Sequence, residues 1–206
     1  MATFKVFVIG KSQSQSTSPP NIPTIILTHF PIPPTPRRPR IRQNLPRARA
    51  DPTKLQPHVV QAIREKNLVE IKDLIPILED VARGFPRNDN RNVLLDGLPR
   101  SMEQIAPMEA VMGTPDLVLY FDCPKDIARQ RFLSRDVEGR VDDEKAFGVR
   151  GAQFAKENKL ILQHYLRMGV LVRVDTSGSF DACFEKLKKD LTKEIAWRGT
   201  GIQGFW

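Results

Sequence analysis

Arg131, Arg135, Arg140 and Arg150 fall in one stretch of the chain, with Asp142 and Asp143 between them. Arg131 and Arg135 stand four apart, so on a helix both guanidinium groups lie on one face, and Arg140 and Arg150 can join them from a short loop and the next helix. Converging guanidinium groups suit phosphoryl transfer. A phosphoryl group in flight spreads charge over its equatorial oxygens, and catalysis there is mostly positioning and charge stabilisation. Taken alone, such a row reads more simply as solvated surface. A second candidate follows the apolar run Val93-Leu94-Leu95, where the chain continues Asp96-Gly97-Leu98-Pro99-Arg100. An acid closing a buried strand can hold a hydrated magnesium, Gly97 lets a backbone approach a ligand, and Arg100 presents a fork matched to phosphate oxygens. As a bare pattern it is equally a turn, because Gly and Pro punctuate loops everywhere and Asp often caps.

The elements that must position these residues come from apolar patterning. Phe4 to Ile9 is a short apolar run ending at Gly10 and reads as a buried strand. Nine of the seventeen prolines then fall between Pro19 and Pro46, after a Ser/Gln/Thr-rich start. Proline removes backbone donors and fixes φ, so residues 11–50 are expected to be a disordered Pro/Arg-rich segment. Helical spacing returns at Leu55–Lys66 and Ile71–Arg83, followed by a strand at Val93–Leu95 and a helix after Ser101. A strand at Leu117–Phe121, helices over 125–134 and 143–168, a strand at Leu171–Val174 and a helix over 180–194 complete the pattern. Strands alternating with helices predict an α/β fold, a parallel sheet covered by helices on both faces with ligands at the carboxyl ends of the strands. No internal repeat is present.

With these elements in place, Val93-Leu94-Leu95-Asp96-Gly97-Leu98-Pro99-Arg100 resembles the signature of nucleoside monophosphate kinases, with Leu98 where Phe is usual. Phe121-Asp122-Cys123-Pro124, Arg131-Phe132-Leu133-Ser134-Arg135 and Gly139-Arg140-Val141-Asp142-Asp143 resemble the helix and short lid of the UMP/CMP kinases. Val174 to Ser179 also fits that family. The similarity covers residues 54–192 and the opening strand. It implies a P-loop NTPase-like parallel sheet, with a small helical monophosphate-binding segment at 54–83, a lid at 135–142, a kinase domain ending near 196 and a C-terminal tail at 197–206.

The resemblance also implies roles. Arg100 matches the arginine that grips the monophosphate's phosphate, with Gly97 beside it, and Gln104 stands at the base-reading position. Gln104 could equally complete a capping box with Ser101. Val69, with Asn67 and Leu68, takes the place of the segment's base-contacting backbone. Arg131 matches the arginine near the ATP base and phosphates, and Arg135, Arg140 and Arg150 match those around the transferred phosphoryl group. Asp96 would orient Mg2+ through water, and Gly178 belongs to the ATP side. No residue is expected to ligate a metal directly. Arg47 is the nearest match to a further phosphate-binding arginine, one residue out of register. The short span between Arg135 and Arg140 leaves no room for a long zinc-bearing lid, which points to the UMP/CMP branch, with UMP, CMP or AMP and ATP as the expected ligands.

One part of the pattern is absent. After the first strand the family has GxxxxGK[ST], whose backbone donors cradle phosphates and whose Lys reaches the β and γ phosphates. Here the strand runs into Gly10-Lys11-Ser12, without the preceding glycine and spacer. The following proline-rich tract cannot open the helix that faces the anion. Lys11 is therefore expected to be an ordinary exposed lysine and the kinase activity to be impaired or lost. A genuine loss of ATP binding and a sequence in which non-coding material replaces the loop both fit, and the abrupt change in composition favours the second. A non-catalytic nucleotide-binding protein, or an interaction through the basic tail, is the alternative.

Bulk properties bound the rest. The chain has 206 residues and a net charge of +8. The first acid is Asp51, so the first fifty residues hold two Lys and six Arg unopposed, and the remainder is balanced. This segment resembles a mitochondrial presequence in composition, but its prolines oppose an amphipathic helix. Few aromatics accompany its charges, so nucleic acid is not the expected partner. Cys123 and Cys183 form no metal-binding or CxxC pattern, and no apolar run reaches the length of a membrane span. A cytoplasmic monomer, with the nucleus also open to it, is the expectation.

Overall fold

The structure is a computed structural model, and it describes residues 5–10, 56–64, 69–83, 93–134 and 143–198. Lys11, Arg47, Asn67, Leu68, Arg135 and Arg140 lie outside the described residues, as do the proline-rich segment and the expected lid.

Four strands carry the fold: β1 (Lys5–Gly10), β2 (Val93–Asp96), β3 (Leu117–Asp122) and β4 (Leu171–Asp175). They form one sheet in the order β2-β1-β3-β4, and every pairing is parallel. Between and after them lie α1 (Pro57–Arg64), α2 (Ile71–Arg83), α3 (Ile105–Met112), α4 (Lys125–Leu133), α5 (Glu144–Arg167) and α6 (Phe180–Arg198). The expected elements are all present. The helix expected after Ser101 begins as a 3-10 turn at Met102–Gln104, and the last helix includes Trp197 and Arg198, assigned in the sequence reading to a tail.

Alternation along the strands sends side chains to two faces. Val6, Val8, Leu94, Leu117, Leu119, Phe121, Val172 and Val174 pack with Cys183, Leu187 and Leu191 of α6. Phe7, Ile9, Val93, Leu95 and Val118 take the opposite face, against Leu74 and Leu78 of α2, residues of α3, and Ile161 and Tyr165 of α5. Helices therefore cover both faces, which is why the buried strands read as near-continuous apolar runs. Each fully buried Leu or Phe contributes about 1.5–3 kcal/mol relative to exposure. A third cluster of Cys123, Ala128, Phe132, Ala146 and Phe147 joins α4 to α5, with the two phenylalanine rings 5.6 Å apart.

Polar contacts fix how the helices sit. Asp143 caps α5, its carboxylate accepting from the Ala146 N–H at 2.7 Å. This acid, grouped by sequence with the arginines, thus has a local structural use. Arg129 of α4 pairs with Glu144 of α5 through both carboxylate oxygens. The Tyr165 hydroxyl donates to Glu109 Oε1 at 3.1 Å, joining α5 to α3. Burial, and then the Glu109 carboxylate, raise that phenol well above its usual range. α2 contains Pro76, which leaves one rung of its hydrogen-bond ladder unmade.

Strand order reverses at β1. From β1 the chain steps sideways to β2, then returns past β1 to β3. In open parallel sheets such a reversal places the ligand crevice outside the carboxyl ends of the strands.

Candidate functional site

At the carboxyl end of β2, Asp96 lies half-buried opposite Val8 of β1. Gly97 has φ +80°, and its N–H donates to the Val8 carbonyl at 2.9 Å. A Cβ at this position would meet Arg100 Nη2 at an ordinary 3.6 Å, so the backbone conformation rather than space calls for glycine. The Leu98–Pro99 peptide is cis, and both residues are buried. Arg100 is exposed, with its main chain and side chain both held. Its N–H donates to Gln104 Oε1 at 2.7 Å, and its Nε donates to the Gly97 carbonyl at 2.9 Å. Asp96, Gly97, Arg100 and Gln104 are thereby gathered in one turn attached to the central strand.

Gln104 is only 4% exposed. The capping box with Ser101 does not form: Ser101 makes no side-chain capping bond, and the amide oxygen reaches one residue further back, to Arg100. The reason is the 3-10 turn, which winds more tightly than the α-helix that the spacing anticipates. Val69 stands half-buried just before α2. His58 Nε2 and Asp73 Oδ1 meet at 2.8 Å, linking α1 to α2.

The second group of residues surrounds α4. Arg131, on its last turn, donates from Nη1 to the Thr176 carbonyl at 2.5 Å and from Nη2 to the Gly178 carbonyl at 2.7 Å. Longer contacts reach the Ser177 carbonyl at 3.4 Å and Cys123 Sγ at 3.7 Å. Arg131 and Gly178 are therefore joined directly. Arg150 projects from α5, with its guanidinium carbon 5.3 Å from the Phe132 ring centroid, a distance suited to cation–π attraction. α4 ends at Leu133 with Ser134 as its cap. The expectation that Arg131 and Arg135 share one helical face falls on Arg135, which lies outside the described residues.

Asp122, at the end of β3, stands in the Phe121-Asp122-Cys123-Pro124 stretch without an expected role of its own. Its carbonyl accepts from both the N–H and the hydroxyl of Thr176 at 2.8 Å. Its carboxylate accepts from Arg173 Nε at 3.0 Å and from the Tyr120 hydroxyl at 3.2 Å. Burial, followed by the Asp122 charge, pushes the Tyr120 phenol up to about 12. The register that sets Tyr120 beside Arg173 and Asp122 beside Asp175 was the missing signal. Among the described residues no group of three or more His, Cys, Asp or Glu is placed to hold a metal. No described helix is long and apolar enough to cross a membrane.

The all-parallel sheet, its helices on both faces and the phosphate-suited turn after β2 define an α/β protein of the P-loop NTPase-like class. No protein-family model matches the chain. It is 32% identical over 132 residues to a UMP-CMP kinase of Prunus armeniaca, spanning 63% of this chain and 55% of that protein. It is also 32% identical over 128 residues to human adenylate kinase isoenzyme 1, spanning 61% of this chain and 66% of that protein. The adenylate kinase isoenzyme 1 of Rattus norvegicus is 30% identical over 132 residues, 63% of this chain and 68% of that protein. The chain belongs to the nucleoside monophosphate kinase family. It spans about half the length of the curated UMP-CMP kinases it matches.

Proposed function

We propose that the chain binds a nucleoside monophosphate, with UMP or CMP ahead of AMP, on a retained acceptor side, and that phosphoryl transfer from ATP is impaired or absent. The observation that supports this reading is the turn Asp96–Arg100, pinned to β1 through Gly97 and presenting an exposed Arg100. Arg100 binds the phosphate of the monophosphate, Gly97 admits it to the backbone and Val69 meets the base. Gln104 contributes to base recognition through the turn whose backbone it holds. α1 and α2 cover the acceptor and exclude water.

On the donor side, a single half-buried carboxylate at a strand end fits magnesium, which keeps several waters and takes few protein ligands. Asp96 would hold it through water, and the ion would supply charge neutralisation on the ATP phosphates. Arg131 and Gly178 belong to the side of the ATP base and phosphates, and Arg135, Arg140 and Arg150 to the transferred phosphoryl group. The missing element is the glycine-rich cradle: Gly10 closes β1, and GxxxxGK[ST] does not occur in the sequence. Without it the ATP phosphates lose their main array of backbone donors. The protein is proposed to work as a cytoplasmic monomer.

Isothermal titration with UMP, CMP and AMP, beside a coupled assay with ATP, tests both halves. Micromolar binding that disappears in Arg100→Ala is expected, together with negligible turnover. Turnover near the ordinary kinase range of about 1–100 per second would refute impairment. Absence of monophosphate binding would refute the acceptor reading. The basic first fifty residues support a second reading as an interaction segment, for which salt-sensitive binding to a polyanion, lost on deleting residues 1–50, is the criterion.

A further inference from the structure

We infer that Arg131 is a positioning residue, serving the donor-nucleotide side through the Thr176–Gly178 turn it holds in place. Only the purpose of the turn rests on the proposed function. The strut itself rests on geometry.

The carbonyls of Thr176, Ser177 and Gly178 all face the Arg131 guanidinium, at 2.5, 3.4 and 2.7 Å. Successive carbonyl oxygens turned to one side repel one another, and a fork of N–H donors carrying positive charge removes that repulsion. Among the described residues, Arg131 pairs with no carboxylate. Its charge is satisfied by main-chain oxygens and by its contact with Cys123 Sγ.

The turn is also tied from its other side. Thr176 bonds twice to the Asp122 carbonyl, and the Ser177 N–H donates to Asp175 Oδ1 at 2.9 Å. Removing the Arg131 fork would thus leave a turn attached to β3 at one end, with the Ser177 and Gly178 carbonyls stripped of that donor and the Thr176 carbonyl left with the weak Cys123 thiol donor at 3.9 Å. Two thiols report on this place. Cys123 Sγ lies 3.7 Å from Arg131 Nη1, and a Cβ built on Gly178 would come within 3.8 Å of Cys183 Sγ. Neither cysteine is in a disulfide, and both are buried. An intact turn therefore shields Cys183.

The test measures reaction of a maleimide with the native full-length chain in a Cys123→Ser background, so that Cys183 is the single thiol followed. Arg131→Ala is expected to accelerate labelling by about tenfold or more, the scale of a lost charged hydrogen bond. Arg131→Lys, keeping a charge and donors, is expected to recover much of the protection, and Arg131→Gln less. Global stability is measured in parallel by urea unfolding of each variant. Unchanged labelling in Arg131→Ala, or acceleration that merely follows the loss of global stability, would overturn the proposal. If Arg131→Ala does not fold, Arg131→Lys and Arg131→Gln decide alone: equal protection in both, or none in either, counts against the strut. UMP titration of the same samples separates the two readings. Absence of UMP binding in the Cys123→Ser parent with the expected labelling pattern refutes the acceptor reading and leaves the strut standing, and UMP binding by the parent without that pattern refutes the strut alone.

Discussion

Arg100 is fixed twice over by its own turn, through its main chain to Gln104 and through its side chain to Gly97. Preorganisation of this kind lowers the entropy lost when a phosphate is bound. Gln104→Ala is expected to destabilise the fold by about 1–3 kcal/mol, because it orphans the Arg100 N–H. The same change should weaken UMP binding, and chemical denaturation beside calorimetry checks both. Two groups give a pH dependence. Tyr120 has its pKa raised to about 12 by burial and then by Asp122. Its contribution is complete below the unfolded value of about 10 and is lost as pH rises through the folded value. In Tyr120→Phe the extra alkaline destabilisation between those values should vanish in melting curves. Asp175 is held below its ordinary value, chiefly by the Ser177 N–H. Its contribution is present above the unfolded carboxylate pKa and is lost as pH falls through the lower folded one, so wild type and Asp175→Ala should converge in stability only in strong acid. Arg100 and its turn were legible from sequence because they are local. The bonds between Asp122 and Thr176 were not, since they depend on how two distant strands align.

Helices and strands were readable wherever an apolar pattern was long enough, and every expected element has a counterpart. Less legible was the use of the residues at their ends. Asp143 belongs to a run that suggests phosphate chemistry, yet its side chain satisfies the Ala146 N–H at the start of α5. Asp143→Ala is expected to cost about 1 kcal/mol in urea unfolding, with Asp143→Asn costing less, since both Asp and Asn cap well. Gln104 shows the complementary case: its spacing from Ser101 signals a capping box, but a 3-10 start shifts the bond to Arg100. Spacing along a chain identifies which groups can meet, whereas helix type decides which do.

Across the whole molecule, alternation of elements indicated a parallel sheet, but the order β2-β1-β3-β4 had no local signature. The central position of β1 is set by pairing on both sides, with Lys5 opposite Val93 and Val6 opposite Leu117. This arrangement bears on biosynthesis. Since chains elongate at about 5–20 residues per second, the apolar Val6–Ile9 segment emerges on the order of ten seconds before β3 is complete. Before β2 is made it is an unpaired, oily strand with no neighbour on either edge, and one edge stays open until β3 follows, the kind of surface that chaperones recognise and that seeds aggregation. The strand that ends at the heart of the sheet is thus, for a short time during translation, the part of the chain most in need of protection.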